Sequence, residues 1–164
     1  THSSGNRGNA LGLAAATRGI AAHVVVPEGA VQAKLDAIVR AGGTLHRCAP
    51  TQAAREATCA EVQLQTGAAL VHPYADARVM AGQGTIALEL LRQAPQLDAL
   101  ITPVGGGGLA AGVAIAAHAL RPELALYAAE PVGADDAARS LAAGARVAGF
   151  QPYTVCDGLR ALVR

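Results

Sequence analysis

The sequence predicts an α/β fold in which parallel strands alternate with helices that cover both faces of the sheet. Short apolar or β-branched runs that end at Pro or Gly alternate with longer segments whose apolar residues recur at helical spacing. A run of four glycines also separates one predicted strand from the helix that follows it. Loops of this kind, after the carboxyl end of a strand, are where α/β proteins bind ligands.

The first part of the chain predicts three helices and three strands. A polar opening leads into an alanine-rich helix that ends near Arg18, and a second helix over 31–41 stops at a Gly-Gly pair. The third helix covers 52–65. The predicted strands are 23–26, 44–48 and 68–71.

The second part of the chain continues the alternation. It predicts helices over 80–94 and 109–120 and strands over 97–104 and 124–129. Between the two parts, residues 72–77 lack periodicity and combine Pro73 with Asp76. We therefore expect two lobes, a small one over 1–75 and part of a larger one over 76–164.

Composition excludes several classes of function. The net charge is +1, from 13 basic and 12 acidic residues without a basic stripe, so we expect binding to neither nucleic acid nor a membrane surface. Cys48, Cys59 and Cys156 form no CxxC pair, which favours buried, reduced thiols in a cytoplasmic protein. The uncharged stretch over 99–120 is split by Pro103 and the glycines, so we expect no membrane span there.

The loop Gly105-Gly106-Gly107-Gly108 predicts a phosphate site. Glycines let several backbone N–H groups converge on one anion, and the N-terminus of the next helix adds partial positive charge. The loop is also compatible with a dinucleotide-binding fold, because Gly106-x-Gly108-x-x-Ala111 fits the GxGxxA pattern. In that alternative Glu130, at the end of the next strand, would bind a ribose.

Four ordered motifs resemble the serine racemase and serine/threonine dehydratase family. They are Thr1-His2-Ser3-Ser4-Gly5-Asn6, Ala81-Gly82-Gln83-Gly84-Thr85, the Pro103–Gly108 loop, and Glu130-Pro131 followed by Ala134-Asp135-Asp136. The resemblance covers essentially all 164 residues. It implies a fold-type II pyridoxal-phosphate enzyme with a fold like that of the tryptophan synthase β subunit, of which this chain is an incomplete, internal part.

The resemblance implies a role for each residue that matches a family motif. Asn6 would hydrogen-bond the 3′-hydroxyl of pyridoxal 5′-phosphate, and Gly105, Gly106, Gly107 and Gly108 would bind its phosphate. Ser4 would be the catalytic serine that exchanges a proton on the face of the substrate opposite the lysine. Since an unassisted hydroxyl is a poor acid or base, its surroundings would have to tune it.

The resemblance also implies a divalent-cation site. Its ligands would be the carboxylates of Glu130 and Asp136 and the carbonyl oxygen of Ala134. An all-oxygen set of this kind suits Mg²⁺ or Ca²⁺. The alternative for both acids is an ordinary solvated carboxylate at the end of a strand.

The chain departs from the family pattern in three places. Arg7 stands where the family commonly has histidine, and Tyr74 falls at a variable, substrate-side position. The Schiff-base lysine would lie upstream of Thr1, whereas Lys34 is expected on a solvated helix face. We therefore expect this chain to be inactive on its own.

The implied activity is that of a lyase that converts serine or threonine to a keto acid and ammonia. A serine racemase, an isomerase of the same family, is the alternative, and the family is usually homodimeric. Two other classes stay open: a nicotinamide-dependent oxidoreductase, and a non-catalytic ligand-binding domain. The SSGN opening and Ala134-Asp135-Asp136 disfavour the oxidoreductase, since a dinucleotide fold has no use for them.

Overall fold

In the computed structural model, which describes residues 1–3, 5–149 and 151–163, the chain divides into two units, Thr1–Pro73 and Tyr74–Arg164. The division falls inside the segment 72–77 that the sequence marks as a boundary. Correspondence of these units to the small and large lobes of the family remains a prediction.

The first unit contains three helices and a parallel pair of strands. In chain order they are α1 (Asn6–Ala16), β1 (Ala22–Pro27), α2 (Gln32–Arg40), β2 (Gly43–Cys48) and α3 (Gln52–Thr66). Val24 of β1 pairs with Leu45 of β2, and a separate bridge joins His2 to Val25 on β1. The predicted parallel pairing is therefore confirmed in this unit.

Alternation along β1 places a core on each face of the sheet, because successive strand side chains point to opposite sides. Val24 and Val26 pack with two apolar residues of α2. Val25 packs instead with Cys48 and with Cys59 and Val62 of α3. Helices thus cover both faces of this pair, as predicted.

The predicted strand over 68–71 is wrong. Helix α3 ends at Gly67, whose φ of +69° is the left-handed conformation that terminates helices. Residues 68–71 have no ladder partner among the described residues and line an apolar cavity of about 360 Å³ instead. An apolar segment forms a strand when a neighbouring backbone is available to pair with it, and the described residues offer none to 68–71.

The second unit contains three helices, a second parallel pair of strands and two 3₁₀ turns. They are α4 (Ala77–Gln93), β3 (Ala99–Pro103), α5 (Gly108–Leu120), β4 (Ala125–Ala129), the turn Val132–Ala134, α6 (Asp136–Ala143) and the turn Asp157–Leu159. The buried core lies between α4, α5 and one face of the strands, and consists of Ala87, Leu100, Val113, Ala117 and Leu124. On the other face, the paired residues Ile101 and Tyr127 are 70% and 58% exposed.

Helices α4 and α5 approach each other closely through glycine. A Cβ atom added to Gly112 would overlap the Met80 carbonyl oxygen and lie 2.9 Å from the Gly84 nitrogen. Real Cβ atoms do not approach other atoms this closely. Gly84 belongs to the Ala81–Thr85 motif, so close helix packing explains why at least one position of that motif is glycine.

No helix among the described residues is long and apolar enough to cross a membrane, and the uncharged stretch over 99–120 is a strand, a loop and a helix, as predicted. All three cysteines are free. Cys48 and Cys59 are buried as expected, and burial raises the pKa of both thiols, which makes them poor nucleophiles. Cys156 is exposed, contrary to the expectation.

Candidate cofactor site

The four-glycine loop connects β3 to α5. The chain leaves the sheet at buried Val104, whose N–H donates to the carbonyl oxygen of Ala129 at 2.9 Å. Gly107 then turns the chain into the helix with a φ of +88°, a conformation that residues with a Cβ rarely adopt. Its carbonyl oxygen accepts from Ala111 N at 2.9 Å, which starts the helical ladder.

The N-terminus of α5 has the features of an anion site. Among the described residues no side chain caps it, and its first turn contains no acidic residue. The first N–H groups of a helix lack intrahelical partners and carry the positive end of the helix dipole. A phosphate at the loop would satisfy these groups, so the residues present fit the phosphate of the expected cofactor.

The glycines also have a packing role that the sequence does not reveal. A Cβ atom on Gly106 would overlap the ring of Tyr74, and one on Gly108 would lie 2.7 Å from the Tyr74 carbonyl oxygen. A Cβ atom on Gly105 would lie 3.5 Å from the Leu159 Cα, and one on Gly107 would lie 3.2 Å from the Val163 Cγ2. Close packing is therefore a reason for glycine at these positions that does not depend on phosphate binding. These contacts join residues about 30 or more positions apart along the chain, and no local pattern indicates them.

The SSGN motif lies at the start of α1. The Ser3 hydroxyl accepts from Gly8 N at 3.2 Å and from Gly5 N at 3.4 Å, so this serine serves the first turn of the helix. Asn6 is the first helical residue and its side chain is exposed, free to meet a ligand. Ser4, the predicted catalytic serine, lies outside the described residues.

His2 is buried next to this motif, at 7% exposure. Its ring contacts that of His72 edge to face, with centroids 6.4 Å apart. Burial, together with the charge of Arg55 and the neighbouring His72, lowers the pKa of His2 to about 4. The imidazole is therefore neutral at physiological pH.

Two basic side chains lie near the motif. Arg7 is half-buried on α1. Lys34 is also half-buried, and its Cδ lies 3.7 Å from the position that a Cβ on Gly5 would occupy. The expectation of a solvated helix face for Lys34 thus holds only in part, because its aliphatic stem packs towards Gly5.

The three predicted metal ligands gather around the start of α6. The carboxylate of Glu130 accepts from Ala137 N at 3.2 Å and from Ala138 N at 2.9 Å, and so it caps the helix. Asp136 is buried, at 1% exposure, and its Oδ2 accepts from Val163 N at 2.7 Å. The solvated-carboxylate alternative is therefore wrong for Asp136.

Donor chemistry at this position fits a hard cation. Each carboxylate has about four acceptor positions, so the backbone hydrogen bonds leave capacity on both Glu130 and Asp136. Ala134, which would supply a carbonyl oxygen, is buried and lies two residues before Asp136 in the sequence. Across the described ranges no group of three or more His, Cys, Asp or Glu side chains could hold a metal, and the expected set contains two such residues.

Comparison with known proteins covers nearly the whole chain. Residues 1–163 match the model of the family described as pyridoxal-phosphate dependent enzyme. Serine racemase from Arabidopsis thaliana is 49% identical over 161 residues, which is 98% of this chain and 49% of that protein. The β-hydroxyaspartate dehydratase from Paracoccus denitrificans is 50% identical over 159 residues, 97% of this chain and 50% of that protein.

A solved structure gives the same result. The structure of maize serine racemase superposes with a TM-score of 0.94 at 45% identity, covering 99% of this chain and 50% of that one. The chain thus spans about half the length of the relatives it matches. The match confirms the predicted fold-type II architecture and disfavours the dinucleotide-binding alternative. In agreement with that, both carboxylate oxygens of Glu130 serve α6.

Proposed function

Because the chain belongs to the pyridoxal-phosphate dependent enzyme family, we propose that it forms part of an enzyme that acts on small hydroxy amino acids. The observation that carries the proposal is the N-terminus of α5 behind the four-glycine loop, which no side chain in the described part of the chain caps. It offers a phosphate group several amides and the positive end of a helix. When bound, pyridoxal phosphate withdraws electrons from the substrate Cα, so that the α-proton can leave.

The proposed work of this chain's own residues is binding and proton transfer. Amides of Gly105–Gly108 hold the phosphate, and the exposed Asn6 side chain donates to the 3′-hydroxyl of the cofactor. Ser4 exchanges a proton at the substrate Cα. The low pKa of His2 keeps its ring neutral two residues before Ser4 in the sequence.

We propose dehydration as the main reaction, with serine or threonine as substrate. Loss of the α-proton and the β-hydroxyl removes one water, and a second water then releases ammonia to leave the keto acid. This elimination needs fewer special groups than inversion at Cα, and the β-hydroxyaspartate dehydratase relative supports it.

Racemisation is the second candidate, and two observations favour it. Several relatives are serine racemases, including the Arabidopsis thaliana protein at 49% identity. The Thr1–Asn6 motif also contains Ser4, the residue that would return a proton to the opposite face of Cα. Both reactions start with removal of the same proton, so one site can perform both.

The test uses the full gene product in which this chain occurs. With L-serine and L-threonine, we expect keto acid from the dehydratase reaction, measured by reduction with a coupled dehydrogenase. Chiral chromatography of the remaining serine measures the racemase reaction. Keto acid with less than a few per cent D-serine supports dehydration as the main activity, and a large excess of D-serine over keto acid reverses that order.

Replacing Ser4 separates the two candidates further. In Ser4→Ala we expect D-serine formation to fall roughly 100-fold or more, because a positioned proton donor contributes on the order of 10²–10⁴ in rate. Keto acid formation from L-serine should fall less. Ser3→Ala is the matched control, since Ser3 Oγ serves Gly5 N and Gly8 N. Equal losses in both variants would contradict the role of Ser4.

We also propose that Glu130, Ala134 and Asp136 bind Mg²⁺ or Ca²⁺. The support is the buried carboxylate of Asp136, which a cation would neutralise. Millimolar Mg²⁺ or Ca²⁺ should raise the melting temperature of the full gene product, and Asp136→Asn should abolish that shift. Glu123→Gln, which removes a carboxylate paired with Arg121, should retain it. A cation shift that survives in Asp136→Asn would overturn the assignment.

A further inference from the structure

Alternate positions of the four-glycine loop pack against two different segments of the second unit. A Cβ atom on Gly106 or Gly108 would overlap Tyr74, whereas one on Gly105 or Gly107 would lie 3.5 or 3.2 Å from atoms of the segment 158–163. A loop with close neighbours at every position has little freedom to move. Its conformation, and therefore the directions of its N–H groups, depends on both segments.

Tyr74 makes the closer of the two contacts. A Cβ atom on Gly106 would overlap the Tyr74 ring at Cγ, Cδ1 and Cδ2, so the ring lies directly against the glycine backbone. A Cβ atom on Gly108 would lie 2.9 Å from the Tyr74 Cα. The side chain and the backbone of one residue thus support two loop positions.

Burial sets Tyr74 apart from the other tyrosines. It is 9% exposed, whereas Tyr127 and Tyr153 are mostly exposed. Tyr74 also lies three residues before α4, whose first turn Asp76 caps by accepting from Arg78 N at 2.8 Å. The ring is therefore attached to a backbone that the start of a helix holds in place.

We propose that Tyr74 is a positioning residue that holds the four-glycine loop in the conformation that binds phosphate. The proposal rests on the proposed function, since it concerns the same loop. The ring acts through the loop backbone: by filling the space next to Gly106, it fixes where the amides of 105–108 point. The contacts that carry this role are made by ring carbon atoms and backbone atoms of Tyr74.

Removing the ring should loosen the loop and weaken the binding of the phosphate group specifically. In Tyr74→Ala the space next to Gly106 becomes empty, and amides that no longer converge bind an anion less well. We expect the affinity for pyridoxal phosphate to fall about 10-fold or more, the size of effect typical of lost supporting contacts at a site. Tyr74→Phe keeps the ring and should bind as the unmodified protein does.

The measurement compares two probes on the full gene product, pyridoxal phosphate and pyridoxal, which lacks the phosphate. The dissociation constant of pyridoxal divided by that of pyridoxal phosphate reports what the phosphate contributes. We expect this ratio to shrink about 10-fold in Tyr74→Ala and to stay unchanged in Tyr74→Phe. Tyr153→Ala, which removes an exposed ring of the same unit, is the matched control and should also leave it unchanged.

Two results would overturn the proposal. One is an unchanged ratio in Tyr74→Ala, and the other is an equal loss of affinity for both probes. If the unmodified protein shows no preference for the phosphorylated probe, the proposed cofactor is wrong, which is a separate outcome. The three results are therefore distinguishable.

A second pair of variants keeps the test informative if Tyr74→Ala folds poorly. Gly106→Ala should weaken pyridoxal phosphate strongly, because the new methyl group overlaps the ring. In a Tyr74→Leu background, Gly106→Ala should reduce the affinity for pyridoxal phosphate less, because the smaller leucine side chain can move away from the new methyl group. Additive effects in the two backgrounds would contradict direct contact between Tyr74 and the loop.

Discussion

The imidazole of His2 lies at the entrance to the SSGN motif, between the ring of His72 and the charge of Arg55. Its burial favours the neutral form in the folded protein, whereas an unfolded chain exposes the same ring to water. The pKa of His2 is therefore about 4 when folded and near 6.5 when unfolded. Protons bind the unfolded state more readily throughout the interval between these values.

The first prediction is a loss of stability as the pH falls through that interval. Above about pH 6.5 both states are neutral at His2 and the residue adds no pH dependence. Between about 6.5 and 4 the unfolded state gains a proton that the folded state lacks, so unfolding becomes easier by on the order of 1–2 kcal/mol, since solvent screens part of the effect. Denaturant unfolding of the full gene product over this range measures the effect.

Substitution isolates the contribution of His2. His2→Gln should flatten the dependence between pH 4 and 6.5, whatever its effect on stability at neutral pH. His118→Gln, which removes an exposed histidine on α5, is the matched control. If both variants keep the same slope, His2 is not the residue responsible.

The candidate site could be predicted from the sequence where its signal is local. Four successive glycines between a strand and a helix, and the order of the family motifs, are visible in the chain itself. The contact of Tyr74 with Gly106 is not, because it joins residues 32 positions apart that share no periodic pattern. The capping of α6 by Glu130 is predictable only in part. The sequence shows the acidic residue, but it does not show which two backbone amides donate to it.

At the level of elements, the closest packing is between α4 and α5. A Cβ atom on Gly112 would meet the Met80 carbonyl oxygen, which belongs to the helix backbone and cannot turn aside. Helices that touch through glycine have no side chain to rearrange. A larger residue at this position would therefore have to push the two helices apart.

The second prediction compares two glycine substitutions in this helix pair. Gly112→Ala should destabilise the protein by about 1–3 kcal/mol, the usual cost of overpacking a well-filled core. Gly82→Ala, on α4 with nothing within 4 Å of the added methyl group, should be stabilising by up to about 1 kcal/mol, because alanine favours helix. Thermal or denaturant unfolding measures both, and equal effects would contradict the packing argument.

Most elements are predictable from the sequence because their signals agree. In α3, helical periodicity, the Thr51 side chain that accepts from Ala54 N, and Gly67 at the end all indicate the same helix. Residues 68–71 show the limit of such patterns. Their apolar character fits a strand, but a strand also needs a neighbouring backbone to pair with, which a single segment of sequence does not specify.

For the molecule as a whole, the uncovered face of the β3–β4 pair matters most. Ile101 and Tyr127 stand opposite each other in the register and are exposed on the side away from the core. Apolar residues side by side on a sheet favour contact with another surface. The chain also spans about half the length of its relatives, so in a longer protein such a face can be covered.

The third prediction concerns the 164-residue chain expressed on its own, which we expect to self-associate through this face. Analytical ultracentrifugation should show association that weakens roughly 10-fold or more in the double variant Ile101→Thr/Tyr127→Thr, because burying two such side chains contributes a few kcal/mol. Tyr153→Thr is the control, since that exposed ring lies outside the strands. Equal association in both variants would show that another surface is responsible.

The glycine contact between α4 and α5 has a consequence for the history of the gene. Every glycine codon begins with GG, and each single-base change that alters the amino acid introduces a residue with a Cβ atom. Therefore no single-base substitution at Gly112 gives a different residue that fits beside the Met80 carbonyl oxygen without a shift of the backbone. Lineages that carry this helix pair should keep glycine there while silent changes accumulate at the third base. We therefore expect purifying selection at this position to act on backbone contact, independently of any change in substrate.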